Sequence, residues 1–295
     1  MVMRGLSGFP ITPTTEDGRP LPADLSRLVR RLAAAGVDSI GVLGSTGGYA
    51  YLNPDTRTHV LEIALEAAAR TVPVIAGIGA LRTDTSVALA RHAADAGAAG
   101  LLLAPMSYTP LTEDEVHRHF HAVADASDLP ICIYNNPSTT HFNFSPALLA
   151  RLAMLPTVTA VKMPLPLDSD FAAEIFRLRR DLPRGFLIGY SGDWGCADAL
   201  LQGADAWFSV AAGLWPEQAL ELTRAARAGD RAATDRLQAR FQPLWDLFRA
   251  YGSLRVVYAA AGIMGLTEAR PPRPILPLPD RLTANVEAAI GALQP

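Results

Sequence analysis

Leu129-Pro130-Ile131-Cys132-Ile133-Tyr134-Asn135 and Val158-Thr159-Ala160-Val161-Lys162 are two short apolar runs of β-type composition, separated by a helical stretch over 146–154. Runs that are hydrophobic almost throughout suit parallel strands covered on both faces. Strand, helix and strand make one βα unit, and the unit recurs along the chain. Earlier strands are predicted over 6–12, 39–44, 73–79 and 100–104, and later ones over 185–191 and 206–210. Helical patterns fall between them, over 24–35, 54–70, 83–96, 113–126, 168–180 and 193–201. Asn53-Pro54 and Ser145-Pro146 each place a capping residue before a proline at the first helical position. Thr112 with Glu115 has the spacing of a capping box, and Gly36 and Gly97 stand where helices stop.

Eight strands, each followed by a helix, close most simply into an α/β fold of the (β/α)8 TIM-barrel type. The other arrangement of such units is an open doubly wound sheet, but no Gly-x-Gly-x-x-Gly turn follows an early strand. Past the eighth strand only helical patterns remain, over 217–228, 232–250 and 254–264, then a Pro-rich stretch over 270–279 and a last helix over 283–293. The expectation is a barrel over residues 1–225 and a C-terminal helical extension over 226–295.

With 49% hydrophobic and 19% charged residues, the 295-residue chain has material for a large core. Its 26 basic and 29 acidic residues leave no positive excess for a phosphate backbone, so nucleic acid is not an expected partner. Cys132 and Cys196 are too few for a disulfide framework and lack metal-ligand spacing. No apolar run of signal-peptide type opens the chain and none is long enough to span a bilayer; the expectation is a cytoplasmic protein without membrane partners.

In such barrels the chemistry gathers at the C-terminal ends of the strands. Of the 26 Lys and Arg residues a single one is lysine, Lys162, and it stands at such an end. A preference for arginine codons explains the scarcity of lysine but not this position. An arginine stays protonated, whereas an amine can lose its proton and become a nucleophile. In strand alternation Lys162 shares a face with Ala160 and Val158, directed into the barrel, where an apolar cavity disfavours the ammonium. A structural lysine, paired with a carboxylate or snorkelling to the rim, is the competing reading.

Ser45 and Thr46, followed by Gly47, form a Gly-rich turn after the second strand that can offer backbone N–H groups and two hydroxyls to a small carboxylate, or be a plain turn. Tyr134 is either a buried core tyrosine or a proton-relaying phenol beside Lys162. Ser191 and Val210, at the ends of the seventh and eighth strands, are further substrate-binding candidates. His117, His119 and His121 alternate within a helix, which reads as a solvated face and not a metal pair. His141 lies near the mouth, Asp193 reads as a helix cap for the segment at Trp194, and the tryptophans read as packing residues.

Gly44-Ser45-Thr46-Gly47, Tyr134-Asn135-Asn136-Pro137 and the strand-end Lys162 one unit later resemble the dihydrodipicolinate synthase / N-acetylneuraminate lyase family of Schiff-base aldolases, and 105–112 is similar to that family's stretch after strand four. The resemblance implies a barrel that assembles as a homotetramer or homodimer and uses pyruvate or another 2-oxo acid, with neither metal nor cofactor beyond the lysine imine. It further implies Lys162 as the imine former, Tyr134 as proton shuttle, Ser45 and Thr46 as carboxylate anchors with one relaying protons, and Tyr108, or Ser107, lent to a neighbouring subunit. Three positions depart from the family pattern. Gly48 replaces a common Glu, Thr139 stands where the synthase branch has an arginine, and Met163-Pro164-Leu165-Pro166 follows the lysine. The imine machinery is thus expected with a changed second-substrate pocket, in a lyase that cleaves carbon–carbon bonds or eliminates water.

Overall fold

The computed structural model describes residues 2–294. All the expected strands form: β1 (Gly5–Gly8), β2 (Ser39–Val42), β3 (Val74–Gly77), β4 (Gly100–Leu103), β5 (Ile131–Tyr134), β6 (Val158–Met163), β7 (Leu187–Tyr190) and β8 (Ala206–Ser209). They pair in sequence order, all in parallel, and β1 also pairs with β8, which closes the barrel. Most are shorter than the apolar runs that announced them. Ile11 lies beyond the ladder yet remains buried, because the loops at the strand ends are covered too. Hydrophobicity reports burial, not pairing.

The surrounding helices are α1 (Pro22–Ala35), α2 (Pro54–Ala68), α3 (Thr83–Ala96), α4 (Glu113–Ala124), the single turn α5 (Pro137–Thr140), α6 (Pro146–Leu152), α7 (Phe171–Asp181), α8 (Asp193–Leu201) and α9 (Pro216–Arg227). The sequence-level caps are real. Asn53 accepts from the Thr56 amide at 2.8 Å, Ser145 from Leu148 at 3.1 Å, and Thr112 and Glu115 cap each other reciprocally. Beyond α9, α10 (Arg231–Tyr251), α11 (Ser253–Ile263) and α12 (Thr283–Leu293) form the helical extension, and α10 packs against α8, α9, α11 and α12. No helix among the described residues is long and apolar enough to cross a membrane.

Strand alternation divides the core in two. Cys132, Tyr134, Ala160, Ala206 and Phe208 point into the barrel with Phe9, Ile75 and Leu102, while Ile131, Ile133, Val161 and Trp207 face the helices. Val158 departs from the expected alternation. The register runs from Ile131↔Val158 to Cys132↔Ala160, so Thr159 is an extra residue and Val158 joins the outer layer. This β-bulge re-aims the strand, and the inward face after it carries Ala160 and then Lys162.

Gly77 on β3 holds β2's exit in place by having no side chain. A Cβ there would lie 1.8 Å from the Leu43 carbonyl oxygen, and Leu43 itself is left-handed with φ 59°. The Gly77→Ala variant is therefore expected to lose about 3 kcal/mol of stability in urea unfolding, because backbone and not a flexible side chain must yield. A loss below about 1 kcal/mol would show that the two strands are not locked in this way.

Candidate active site

Lys162 is 5% exposed and ends the inward row of β6. In the ladder it lies opposite Tyr134 of β5 and Gly189 of β7, and the latter leaves room beside it. Its Nζ is 4.3 Å from the ring centroids of both Phe9 and Tyr134, and 5.6 Å from that of Phe208. No carboxylate among the described residues forms a salt bridge with it, so the competing reading of a paired structural lysine is not what the fold builds. The amine sits in an aromatic box at the floor of the barrel mouth. Phe9 occupies the box because β2 makes space for it: a Cβ on Gly41 would lie 2.2 Å from its ring.

The Tyr134 hydroxyl lies 3.0 Å from Ser45 Oγ and accepts from Asn136 Nδ2 at 2.9 Å. Asn136 Oδ1 in turn accepts from the Ser138 hydroxyl at 2.8 Å, which orients the amide. With one lone pair of the phenol occupied by Asn136, its proton is left to face Ser45 or a bound molecule. Of the two turn hydroxyls, Ser45 makes the contact with Tyr134, and Thr46, 8% exposed, lines the cavity alongside it. Gly47 sits behind that wall, where a Cβ would be 2.9 Å from the Leu43 amide nitrogen.

These groups open into one cavity of about 1420 Å³, which Ser191 and Val210 also line. Its far wall comes from Pro164, Leu165 and Pro166, from Trp194 on α8, and from Phe248 and Leu254 of the helical extension. Leu165 is seated on the start of α8, where Cβ atoms on Gly192 and Gly195 would lie within 2.8 Å of it. Strand alternation flags Phe9 and Phe208. Nothing local flags Asn136 as the phenol's partner, or the loop after β6 as a wall.

Several sequence expectations need correction. Asp193 does not cap the helix. It is the first residue of α8, whose N-cap is Gly192, and its buried carboxylate reaches across to β8. There it accepts from Trp207 Nε1 at 2.7 Å and from the backbone amides of Val210 and Ala211 at 3.1 and 2.9 Å. His119 is not on a solvated face: it is buried, with Nδ1 3.0 Å from the Thr83 hydroxyl, and burial lowers its pKa. His141 is exposed in left-handed backbone just after α5 and is not part of the cavity wall. Trp207, Trp215 and Trp245 are core residues, whereas Trp194 stands half-exposed at the cavity. Tyr108 is 98% exposed and outside the cavity of its own chain.

Burial pushes the Asp193 carboxyl from 3.8 up to about 6, against the Ala211 amide, Trp207, Ser209 and the charge of Lys162, all of which favour the ionised form. The folded value lies above the unfolded one. The group therefore stabilises the fold fully below 3.8, and that contribution is lost as pH rises through about 6. The Asp193→Asn variant keeps an acceptor oxygen without the charge. Its Tm relative to the native chain is expected to rise by about 5 °C between about pH 4 and about pH 7. A difference that stays constant over that interval would contradict the assignment.

Comparison with known proteins finds relatives along almost the whole chain. The chain is 56% identical to the dihydrodipicolinate synthase of Agrobacterium tumefaciens, with TM-score 0.98 and coverage of 99% of this chain and 98% of that one. It is 26% identical, with TM-score 0.91 and 99% coverage of both chains, to a chloride-inhibited dihydrodipicolinate synthase of Acinetobacter baumannii solved in complex with pyruvate. Among curated proteins, the 4-hydroxy-tetrahydrodipicolinate synthase of Acidiphilium cryptum is 33% identical over 290 residues, 96% of each chain. Residues 2–293 match one family along their whole length, and with the closed barrel and its strand-end lysine already in place, the chain belongs to the dihydrodipicolinate synthetase family, whose members are aldolase-type lyases.

Proposed function

We propose that this protein is a class I aldolase or lyase that forms a Schiff base between Lys162 and pyruvate, or a 2-oxo acid that yields pyruvate, and that its second-substrate pocket differs from that of a synthase. The observation that carries the reading is the Lys162 amine, without a salt bridge among the described residues, beside the Tyr134–Ser45 hydroxyl pair. The pyruvate held by the Acinetobacter relative supports the choice of ligand.

The amine attacks the ketone carbon of the 2-oxo acid, and loss of water leaves a protonated imine. That imine draws electrons from the adjacent carbon. In the cleavage direction Tyr134 takes the proton of the hydroxyl two carbons from the imine carbon, the carbon–carbon bond breaks, an aldehyde leaves, and an enamine remains. Protonation of the enamine and hydrolysis of the imine then release pyruvate and restore the amine. Ser45 and Thr46 anchor the carboxylate and keep the reacting atoms aligned, and Ser45 passes protons to and from the phenol. No metal or bound cofactor takes part in these steps, and the chain works as a homotetramer or homodimer in the cytoplasm, with Tyr108 reaching a neighbouring subunit's cavity.

A screen of 4-hydroxy-2-oxo acids and 2-oxo-3-deoxy sugar acids tests the reading through their products. Release of pyruvate with an aldehyde is the expected result. Loss of water with the carbon chain intact would assign a dehydratase, and no turnover of any 2-oxo acid would assign a binding protein.

A further inference from the structure

We propose that the second substrate, the carbonyl compound that is joined to pyruvate or released from it, is an uncharged aldehyde without carboxylate or phosphate. The inference rests on the imine reading above and deepens it. It follows from the charges that face the cavity. Among the described residues, the cationic side chains along its wall are Lys162, Arg231 and Arg249, and no histidine lines it. Lys162 is committed to the imine, whose positive charge is balanced by the carboxylate of the 2-oxo acid itself.

Both arginines belong to α10, and both already face carboxylates. Arg231 Nη1 lies 3.3 Å from Asp198 and its Nε 2.9 Å from Asp235, while Arg249 Nη2 lies 2.7 Å from Asp246. Against them the wall carries three carboxylates, Asp170, Asp193 and Asp198. Asp170 caps α7 and Asp193 clamps β8, so neither is paired with an arginine. An anionic tail entering this space finds no unpaired cation apart from Lys162 among the described lining residues, so its desolvation is not offset. The same wall carries the hydroxyls of Ser138 and Thr139 and the apolar surfaces of Leu165 and Trp194. Such a lining accepts an alkyl chain or a hydroxylated one, and both share the absence of charge.

The test measures kcat/KM for condensation with pyruvate in two matched pairs: butanal against succinic semialdehyde, and glyceraldehyde against glyceraldehyde 3-phosphate. The uncharged member of the better-used pair is expected to lead by about tenfold or more. A smaller lead, or a preference for the charged member, overturns the inference. Butanal and glyceraldehyde compared with each other tell an apolar acceptor from a hydroxylated one. Thr139 is exposed at the rim, so Thr139→Arg supplies an unpaired cation without disturbing the core, and it is expected to shift preference toward succinic semialdehyde by about tenfold. No shift would show that charge at the mouth does not set specificity. Borohydride trapping of pyruvate on the same preparations separates the two levels. Trapping together with a preference for charged aldehydes defeats this inference alone, and absence of trapping defeats the imine reading.

Discussion

Lys162→Met is expected to abolish turnover, lowering kcat/KM by about 10⁴-fold or more, while the protein remains folded with an unchanged or higher Tm. The chemistry leaves no substitute. The chain contains no second lysine, and among the described residues the aromatic box around Nζ holds no other amine. Methionine keeps a flexible unbranched chain in contact with Phe9, Tyr134 and Phe208, so packing is preserved. Removing a buried amine that makes no salt bridge among the described residues also removes a desolvation cost, which is why stability does not fall. Activity within about tenfold of the native enzyme would show that the reaction does not pass through this nitrogen.

Tyr134→Phe comes second in size. The ring stays against Lys162, but the oxygen that contacts Ser45 and accepts from Asn136 is gone. Loss of a positioned proton carrier costs about 10²- to 10³-fold in kcat. The change is confined to proton transfer, so pyruvate should still be captured by the lysine, only more slowly. Ser45→Ala leaves the phenol in place and removes its relay partner, with a loss of about tenfold. Rapid-quench measurement of imine formation alongside steady-state kcat separates these effects. A Tyr134→Phe enzyme within about threefold of native kcat would remove the phenol from the mechanism.

Much of this was legible before any coordinates. Continuous apolar strands, proline-marked helix starts and the lone strand-end lysine all point to the closed barrel, because each is a local signature of its own structure. The centre of the candidate site was legible for a related reason: Lys162 and Tyr134 lie at strand ends, and Ser45 lies in the turn that follows β2. Residues whose role depends on a distant partner were not. A buried clamp and a helix cap look alike in sequence, so Asp193 gave no sign of its bonds to Trp207 and Ala211. His119 shares a helix with His117 and His121, and only the packing of α4 against α3 buries it. The bulge at Thr159 left no trace in the hydrophobic pattern, because Val158 is apolar on either face.

The seating of Leu165 on Gly192 and Gly195 gives the departure after the lysine a structural meaning: the loop folds back as a wall of the cavity. Under the proposed chemistry, that wall and the hydroxyls of Ser138 and Thr139 select the second substrate, while the aromatic box and the Tyr134–Ser45 pair carry the imine and proton steps.

Peptide mass mapping after borohydride reduction in the presence of saturating pyruvate addresses the nitrogen itself. The peptide spanning Lys162 is expected to carry one added mass equal to pyruvic acid less one oxygen, and to lack it when pyruvate or borohydride is omitted. An unmodified Lys162 peptide from fully folded protein under those conditions would contradict the account at its root.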